Sequence, residues 1–128
     1  MEIKVLKNNQ NLKLKPAKLA VIDIGSNSIR MLIYEDFNSS RVPFFNEKAV
    51  CELGKNLDKS RKLHKSGVDY AQKVLKRFSE ILNVSKIVNL KIIATAVLRE
   101  ATDSKPFVEY VENLFKKKIE ILSGDEEA

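Results

Sequence analysis

The sequence contains little cysteine, little histidine and no tryptophan, and the first two shortages exclude internal disulfides and zinc sites. Among 128 residues, Cys51 is the sole cysteine and His64 the sole histidine. One cysteine cannot form an internal disulfide, and one cysteine with one histidine cannot supply the nitrogen and sulfur ligands of a zinc site. Any bound metal must therefore be held by oxygen. We interpret Cys51 and His64 as structural or incidental.

Long apolar runs and a secretory signal are also lacking. The longest apolar stretches, such as Leu19–Ile24, are far shorter than the roughly 20 residues that cross a bilayer. The N-terminus, Met1-Glu2-Ile3-Lys4, lacks the charged, apolar and small-residue order of an export signal. We therefore expect a cytoplasmic protein without a membrane partner.

The charge balance favours polyanionic partners. The formal net charge is +6, while aromatic residues make up only 7% of the chain. A basic chain attracts nucleic acids, anionic membrane surfaces and phosphate-rich small molecules. The few aromatic residues are not interleaved with lysine and arginine as on a base-stacking surface, which disfavours nucleic acid.

The first half of the chain predicts a basic arm followed by strands. Residues 1–17 are rich in lysine and asparagine and indicate a flexible N-terminal arm, and residues 18–128 can bury one core. Lys18–Ile24 is almost continuously aliphatic, which is typical of a central strand covered on both faces. After Gly25–Ser28, the apolar run Ile29–Tyr34 predicts a second strand and hence a hairpin.

A weaker third strand is expected over Phe44–Leu53, followed by a basic, irregular segment over Gly54–Lys65. We interpret that segment as a solvated charged loop, with steering of a polyanion as the alternative.

The second half alternates helices and strands. Apolar spacings of three and four predict an amphipathic helix over Ser66–Leu82. Ile87–Ala96 predicts a strand that leads into a short helical turn at Leu98–Ala101. A second helix is expected over Pro106–Lys116, with Asp103 or Ser104 as its cap, before a final strand at Ile119–Leu122. The order βββαβαβ predicts an α/β protein with the mixed sheet of the ribonuclease H-like fold.

The chemistry begins at the turn Asp23-Ile24-Gly25-Ser26-Asn27-Ser28. An acid at the end of a central strand, followed by a glycine turn, places a carboxylate beside free backbone N–H groups and short polar side chains. Phosphate and Mg²⁺ both fit such a site. The same residues are also common in ordinary hairpin turns.

Two further segments carry candidate ligands. Arg99 follows the strand at a strand-to-helix junction, a usual place for ligand contacts in α/β sheets, although a surface ion pair with Glu100 or Asp103 is the plainer interpretation. Ser123-Gly124-Asp125-Glu126 indicates a capping box that opens a new helix. The consecutive acids there could also supply a catalytic base.

Together these segments resemble the exopolyphosphatase and guanosine pentaphosphate phosphohydrolase family of the actin-like ATPase superfamily. The residues that carry the resemblance are Ala20 to Met31, Thr95 to Glu100 and Ile121 to Ala128, with a looser similarity at Glu47 to Leu57. It implies that the chain is the N-terminal domain of such an enzyme. The implied reaction is hydrolysis of a terminal phosphoanhydride of polyphosphate or guanosine pentaphosphate.

The resemblance also implies roles for individual residues. Gly25, Ser26, Asn27 and Ser28 would bind phosphate, and Asp23 would help to hold Mg²⁺, directly or through water. Arg99 would contact substrate phosphate, and Glu127 would be the general base, with Glu126 as the adjacent alternative. The assignment predicts that the Asp23 hairpin, Arg99 and Glu127 converge at one edge of one sheet.

The sequence departs from the family pattern in one respect. Family members continue into a second domain with another glycine-rich phosphate loop, whereas the four glycines here are never adjacent. We therefore expect a truncated half that another domain or chain completes. A non-catalytic polyphosphate-binding or nucleotide-binding module is the main alternative. A sugar kinase or actin-like ATPase remnant is a third possibility, which the segments around Arg99 and Glu127 disfavour.

Overall fold

A computed structural model of the chain describes residues 18–37 and 40–123. The strands are β1 (Lys18–Ile24), β2 (Ser28–Phe37), β3 (Ser40–Val50), β4 (Leu90–Ala94) and β5 (Ile119–Ile121). The helices are α1 (Leu57–Ser60), α2 (Lys65–Val84), α3 (Val97–Glu100) and α4 (Lys105–Phe115). The predicted N-terminal arm lies outside the described residues. No helix in the described part of the chain is long and apolar enough to span a membrane.

The five strands form one mixed sheet in the order β3-β2-β1-β4-β5. β1 pairs antiparallel with β2, and β2 antiparallel with β3, which gives the predicted meander. β4 joins the other side of β1 in parallel, and β5 joins β4 in parallel. Parallel strands need a crossover, and here each crossover contains an amphipathic helix. The carboxyl ends of β1, β4 and β5 therefore meet at the same edge.

The core lies between one face of the sheet and the helices α2 and α4. Alternate residues of β1, among them Ile22 and Ile24, are fully buried because successive side chains of a strand point to opposite faces. Phe78 of α2 and Val111 of α4 are equally buried in the same apolar cluster. The predicted helical periodicity is thereby confirmed, and each helix turns its apolar stripe toward the sheet.

The second face of the sheet is more open than the sequence suggests. β1 was expected to be covered on both faces, but its burial alternates, and Asp23 is exposed between buried Ile22 and Ile24. Lys91 and Glu120 on the neighbouring strands are exposed as well. The prediction was wrong because the long helices of the described residues pack against one face only. The open face is the one that carries Asp23.

Some boundaries and contacts also differ from expectation. Strand pairing in β4 begins at Leu90, three residues later than expected, and the segment expected to be irregular contains α1. Ser104 does occupy the N-cap position of α4, but it makes no side-chain cap. Its hydroxyl instead donates to the Leu98 carbonyl oxygen, at 2.6 Å, and Asp103 accepts a hydrogen bond from the Leu63 backbone N–H at 2.9 Å. Asp103 therefore serves a tertiary contact, and Ser104 serves a local contact with the short helix before it.

Gly67 in α2 allows a close approach that we expect to be needed for stability. A Cβ atom at this position would lie 2.4 Å from the Cys51 carbonyl oxygen, which is backbone and cannot rotate away. We predict that Gly67→Ala lowers the free energy of unfolding by about 1–3 kcal/mol, as overpacked sites do. Helix propensity alone would raise it by about 1 kcal/mol. Urea denaturation distinguishes the two signs.

Glu80→Ala, at an exposed position of the same helix, is the matched control and should change stability by less than about 0.5 kcal/mol. A Gly67→Ala chain that is more stable than the parent would contradict the described approach of α2 to residue 51.

Candidate functional site

The hairpin turn between β1 and β2 lies at the shared carboxyl edge of the parallel strands. Ile24 pairs with Ile29, and the Gly25 N–H donates to the Ser28 carbonyl oxygen at 2.9 Å, which leaves Ser26 and Asn27 as the exposed tip. Gly25 does not adopt a positive φ. Glycine is therefore favoured at this position by its small size, since a Cβ would lie 3.2 Å from the Ser28 carbonyl oxygen.

The carbonyl groups of this turn are held by the segment that follows β3. The Asn27 oxygen accepts hydrogen bonds from the Cys51 and Glu52 N–H groups, at 3.0 and 2.9 Å, and the Ser26 oxygen accepts from the Gly54 N–H at 2.9 Å. Within the described residues, the N–H groups of Ser26 and Asn27 donate to no protein atom. The turn thus uses its acceptors internally and leaves donors available, which suits an anionic ligand.

Gly54 packs closely against this turn. A Cβ atom there would lie 1.9 Å from the Ser26 Oγ and 3.0 Å from the Ser26 Cβ. The Ser26 hydroxyl can rotate away, so the approach to the Ser26 Cβ is what favours glycine at this position. Sequence reasoning gave Gly54 no role, and a lone glycine before a basic segment carried no signal that could have assigned one.

Arg99 lies at the same edge, on the short helix α3 directly after β4. The Thr95 N–H donates to the Ile24 carbonyl oxygen at 3.0 Å, which continues the β1–β4 ladder to the base of the turn. Arg99 itself is exposed, and its Nη1 donates to the Leu122 carbonyl oxygen just after β5. The ion pair with Glu100 or Asp103, considered as the plainer interpretation, is absent from the described residues. The remaining guanidinium donors can bind an anion.

Asp23 lies on the open face, one residue before the end of β1. Burial raises the pKa of its carboxyl, and the nearby positive charge of Arg30 lowers that pKa in part, so the net shift is upward. Asp23 is exposed, but the surrounding sheet still partly desolvates its carboxyl. Arg30 is its cross-strand neighbour and also donates to Asn46 Oδ1 at 2.7 Å. Arg30 is a site residue that the sequence reasoning missed.

Asp23 is the residue of this site that would hold a magnesium ion. The described residues contain no group of three or more histidine, cysteine, aspartate or glutamate side chains suited to a metal. Mg²⁺ often keeps water ligands and binds through one or two carboxylates and substrate phosphates. One carboxylate, Asp23, beside a turn suited to phosphate fits that pattern.

Of the predicted site residues, the structure brings together Asp23, the turn Gly25–Ser28 and Arg99 at one edge of one sheet. The remaining candidates, Glu127 and Glu126, lie outside the described residues. Their convergence with the turn stays a prediction. Ser123, just before them, follows the end of β5 at the same edge.

The contact between Gly54 and Ser26 can be tested by a double-mutant cycle. We predict that Gly54→Ala costs about 1–3 kcal/mol of unfolding free energy, as overpacking does. In a Ser26→Ala background the nearest atom is gone, so the cost should fall, with a coupling of about 0.5–2 kcal/mol measured by urea denaturation. Additive effects of the two substitutions would contradict the contact.

The raised pKa of Asp23 makes a prediction about stability and pH. The neutral carboxyl stabilises the folded chain below the usual pKa of 3.8, and this contribution is lost as the pH rises through the higher folded-state pKa. Asp23→Asn removes the charge that the folded chain disfavours. We therefore expect this substitution to change the free energy of unfolding more favourably at pH 7 than at pH 3. The difference should be less than about 1 kcal/mol, because solvent screens the group.

Thermal unfolding at both pH values measures this difference. Glu109→Gln, which removes an exposed carboxylate from α4, controls for the change of net charge. An effect of Asp23→Asn that is the same at both pH values would contradict the upward shift.

Comparison with known proteins shows similarity in sequence and in fold. The profile of the Ppx/GppA phosphatase family matches residues 32–128. The guanosine-5'-triphosphate,3'-diphosphate pyrophosphatase of Aeromonas hydrophila is 33% identical over 109 residues, which cover 85% of this chain and 22% of that protein. This chain therefore spans about a fifth of the length of that relative.

Solved structures of the family share the fold. A Ppx/GppA protein of Aquifex aeolicus superposes with a TM-score of 0.81 at 23% identity, covering 88% of this chain and 37% of that one. An exopolyphosphatase of Cytophaga hutchinsonii gives 0.77 at 24% identity, covering 84% and 35%. The predicted α/β fold with a mixed sheet is confirmed. Since the family profile matches most of its length, the chain belongs to the Ppx/GppA phosphatase family.

Proposed function

We propose that this chain supplies the first phosphate-binding half of a phosphohydrolase that releases orthophosphate from polyphosphate or guanosine pentaphosphate. The observation that carries the proposal is the turn at Ser26 and Asn27. Its carbonyl groups are engaged by residues 51–54, while its backbone N–H groups point to no protein acceptor among the described residues. Arg99 at the same edge adds positive charge. Such preorganised donors stabilise the charge of a transferring phosphoryl group.

Each group has a role in this proposal. The N–H groups and hydroxyls of the turn bind the non-bridging oxygens of the terminal phosphate, and Arg99 neutralises part of its charge. When bound, Mg²⁺ would supply further charge neutralisation beside Asp23. Phosphoryl transfer of this kind depends mainly on positioning and electrostatics, which are the properties that the turn and Arg99 provide.

Hydrolysis requires a base as well as a phosphate site. In the proposal the oxygen of a water molecule attacks the terminal phosphorus, the bridging P–O bond breaks, and Glu127 takes the proton of the water. The products are orthophosphate and a substrate shorter by one phosphate. Glu127 follows β5, and β5 ends at the same edge as the turn, which supports the assignment of Glu127 over an acid elsewhere in the chain.

The site is proposed to need a second part. The sequence has no pair of adjacent glycines that could form the second phosphate loop expected from the family resemblance. A further domain, or a second chain, would close on the substrate from the open face of the sheet. The cytoplasmic location expected from the N-terminal sequence stays a prediction.

A non-catalytic module that binds polyphosphate or a nucleotide is the second candidate. It is favoured by one observation: within the described residues, the turn and Arg99 offer binding groups, but no cluster of acids accompanies Asp23. The two candidates agree on phosphate binding and differ on turnover.

We predict that the chain binds tripolyphosphate, and that Glu127→Gln slows any release of orthophosphate from polyphosphate with Mg²⁺ by about 100-fold or more, as loss of a general base does. Arg99→Gln should lower both release and binding, since it removes charge from the phosphate. A colorimetric phosphate assay measures release, and calorimetry with tripolyphosphate measures binding. Glu100→Gln and Lys105→Gln are matched controls on exposed neighbouring positions.

The outcomes separate the candidates. Release of orthophosphate that Glu127→Gln slows would support turnover, whereas binding of tripolyphosphate that Arg99→Gln weakens, without any release, would show that this chain by itself is a binding module. Absence of tripolyphosphate binding, with or without Mg²⁺, would overturn both.

A further inference from the structure

The helix α3, which carries Arg99, is too short to be stable through its own hydrogen bonds. It contains four residues, Val97–Glu100, and the Ala101 N–H closes its single turn by donating to the Val97 carbonyl oxygen at 3.2 Å. One turn fixes several backbone angles in return for very few hydrogen bonds, so it is unfavourable in isolation. The orientation of α3, and with it the direction of Arg99, must therefore come from contacts with the rest of the chain.

The hydrogen bond that would continue this helix is replaced by a side chain. In a longer helix the Thr102 N–H would donate to the Leu98 carbonyl oxygen, four residues earlier. Here that N–H donates instead to the Arg61 carbonyl oxygen at 2.8 Å. The Ser104 hydroxyl takes its place and donates to the Leu98 carbonyl oxygen at 2.6 Å. Leu98 is buried, with 2% of its surface exposed, and a buried carbonyl group requires such a partner.

The bond from Ser104 acts directly on the backbone of Arg99. The Leu98 carbonyl belongs to the peptide group that joins Leu98 to Arg99, so the hydroxyl fixes the plane from which the arginine side chain departs. At the far end of that side chain, Nη1 donates to the Leu122 carbonyl oxygen. Arg99 is therefore held at its backbone and at its guanidinium. An arginine ordered in advance loses less conformational entropy when it binds an anion.

We propose that Ser104 is a positioning residue for the phosphate contact of Arg99. This inference rests on the proposed function, in which Arg99 binds the terminal phosphate. Ser104 acts through Arg99 and not on the phosphate itself, because its hydroxyl is engaged by the Leu98 carbonyl oxygen. Without the hydroxyl, the peptide group before Arg99 loses its partner, and the guanidinium has to be ordered while the phosphate binds. Preorganised donors bind a developing or resident negative charge more strongly than donors that must first be ordered.

A double-mutant cycle on the full chain tests this role, with tripolyphosphate affinity measured by calorimetry. The variants are Ser104→Ala, Arg99→Gln and the combination of the two. We expect Ser104→Ala alone to weaken binding by about three- to tenfold, the effect of one hydrogen bond on an equilibrium. In the Arg99→Gln background the same substitution should weaken binding by less than about twofold, because the group that Ser104 positions has been removed.

Two further variants separate positioning from a general effect on the fold. Thr102→Val removes a hydroxyl of the same segment, which donates to the Arg61 carbonyl oxygen at 3.0 Å. The Thr102 N–H still binds that oxygen, so affinity should change by less than about twofold. Ser104→Thr keeps the hydroxyl and should restore affinity to within about twofold of the parent. Urea denaturation establishes that each variant is folded. If Ser104→Ala is not, Ser104→Cys, a weaker donor of similar size, replaces it in the cycle.

Equal weakening by the Ser104 substitution with and without Arg99 would overturn the positioning role. Parent affinity in a folded Ser104→Ala variant, or an equal loss in Thr102→Val, would do so too. Failure of the proposed function gives a different result. In that case the parent does not bind tripolyphosphate, or Arg99→Gln binds it as well as the parent, and both proposals fall. Failure of the positioning role alone leaves the effect of Arg99→Gln intact and removes only the coupling.

Discussion

The arrangement of the site depends on three backbone hydrogen bonds that tie the β1–β2 turn to residues 51–54. They bind the Ser26 and Asn27 carbonyl oxygens and so fix which way the peptide groups of the turn face. A turn free to rotate would expose carbonyl oxygens as often as N–H groups, and an anion would then meet repulsion. The close packing that permits these bonds depends on the missing side chain of Gly54. The direction in which the N–H groups of the turn face is therefore set by residues 51–54, which lie outside the turn itself.

The topology and the general position of the site could be predicted from the sequence. The aliphatic run ending in Asp23 and the helical spacing over residues 66–82 required only local patterns. The strand and the helix that these patterns predict follow from the geometry of a pleated strand and of an α-helix. The position of Arg99 beside the turn also follows, because parallel strands that enter one sheet bring their carboxyl ends to one edge. The cross-strand pairing of Asp23 with Arg30 is equally predictable, since a tip of two residues at 26 and 27 fixes the register.

Other features depend on contacts between distant residues and could not be predicted. Asp103 is a good helix cap by composition, but it accepts a hydrogen bond from the distant Leu63 N–H instead, and local preference does not predict that competition. The exposure of one sheet face also escaped prediction, because Val21 and Ile93 are apolar by sequence and remain only partly covered. The approach of Gly54 to Ser26, and of Gly67 to Cys51, has no local pattern at all.

The attachment of residues 55–62 through backbone atoms has a consequence for how this segment can vary. The Gly54 N–H and the Arg61 carbonyl are present whatever side chains stand between them, and Leu57 alone of the intervening side chains is buried. Substitutions at the exposed positions 55, 59 and 62 should therefore carry little penalty in folding. The charge of this surface can change while the backbone that holds the turn stays constant.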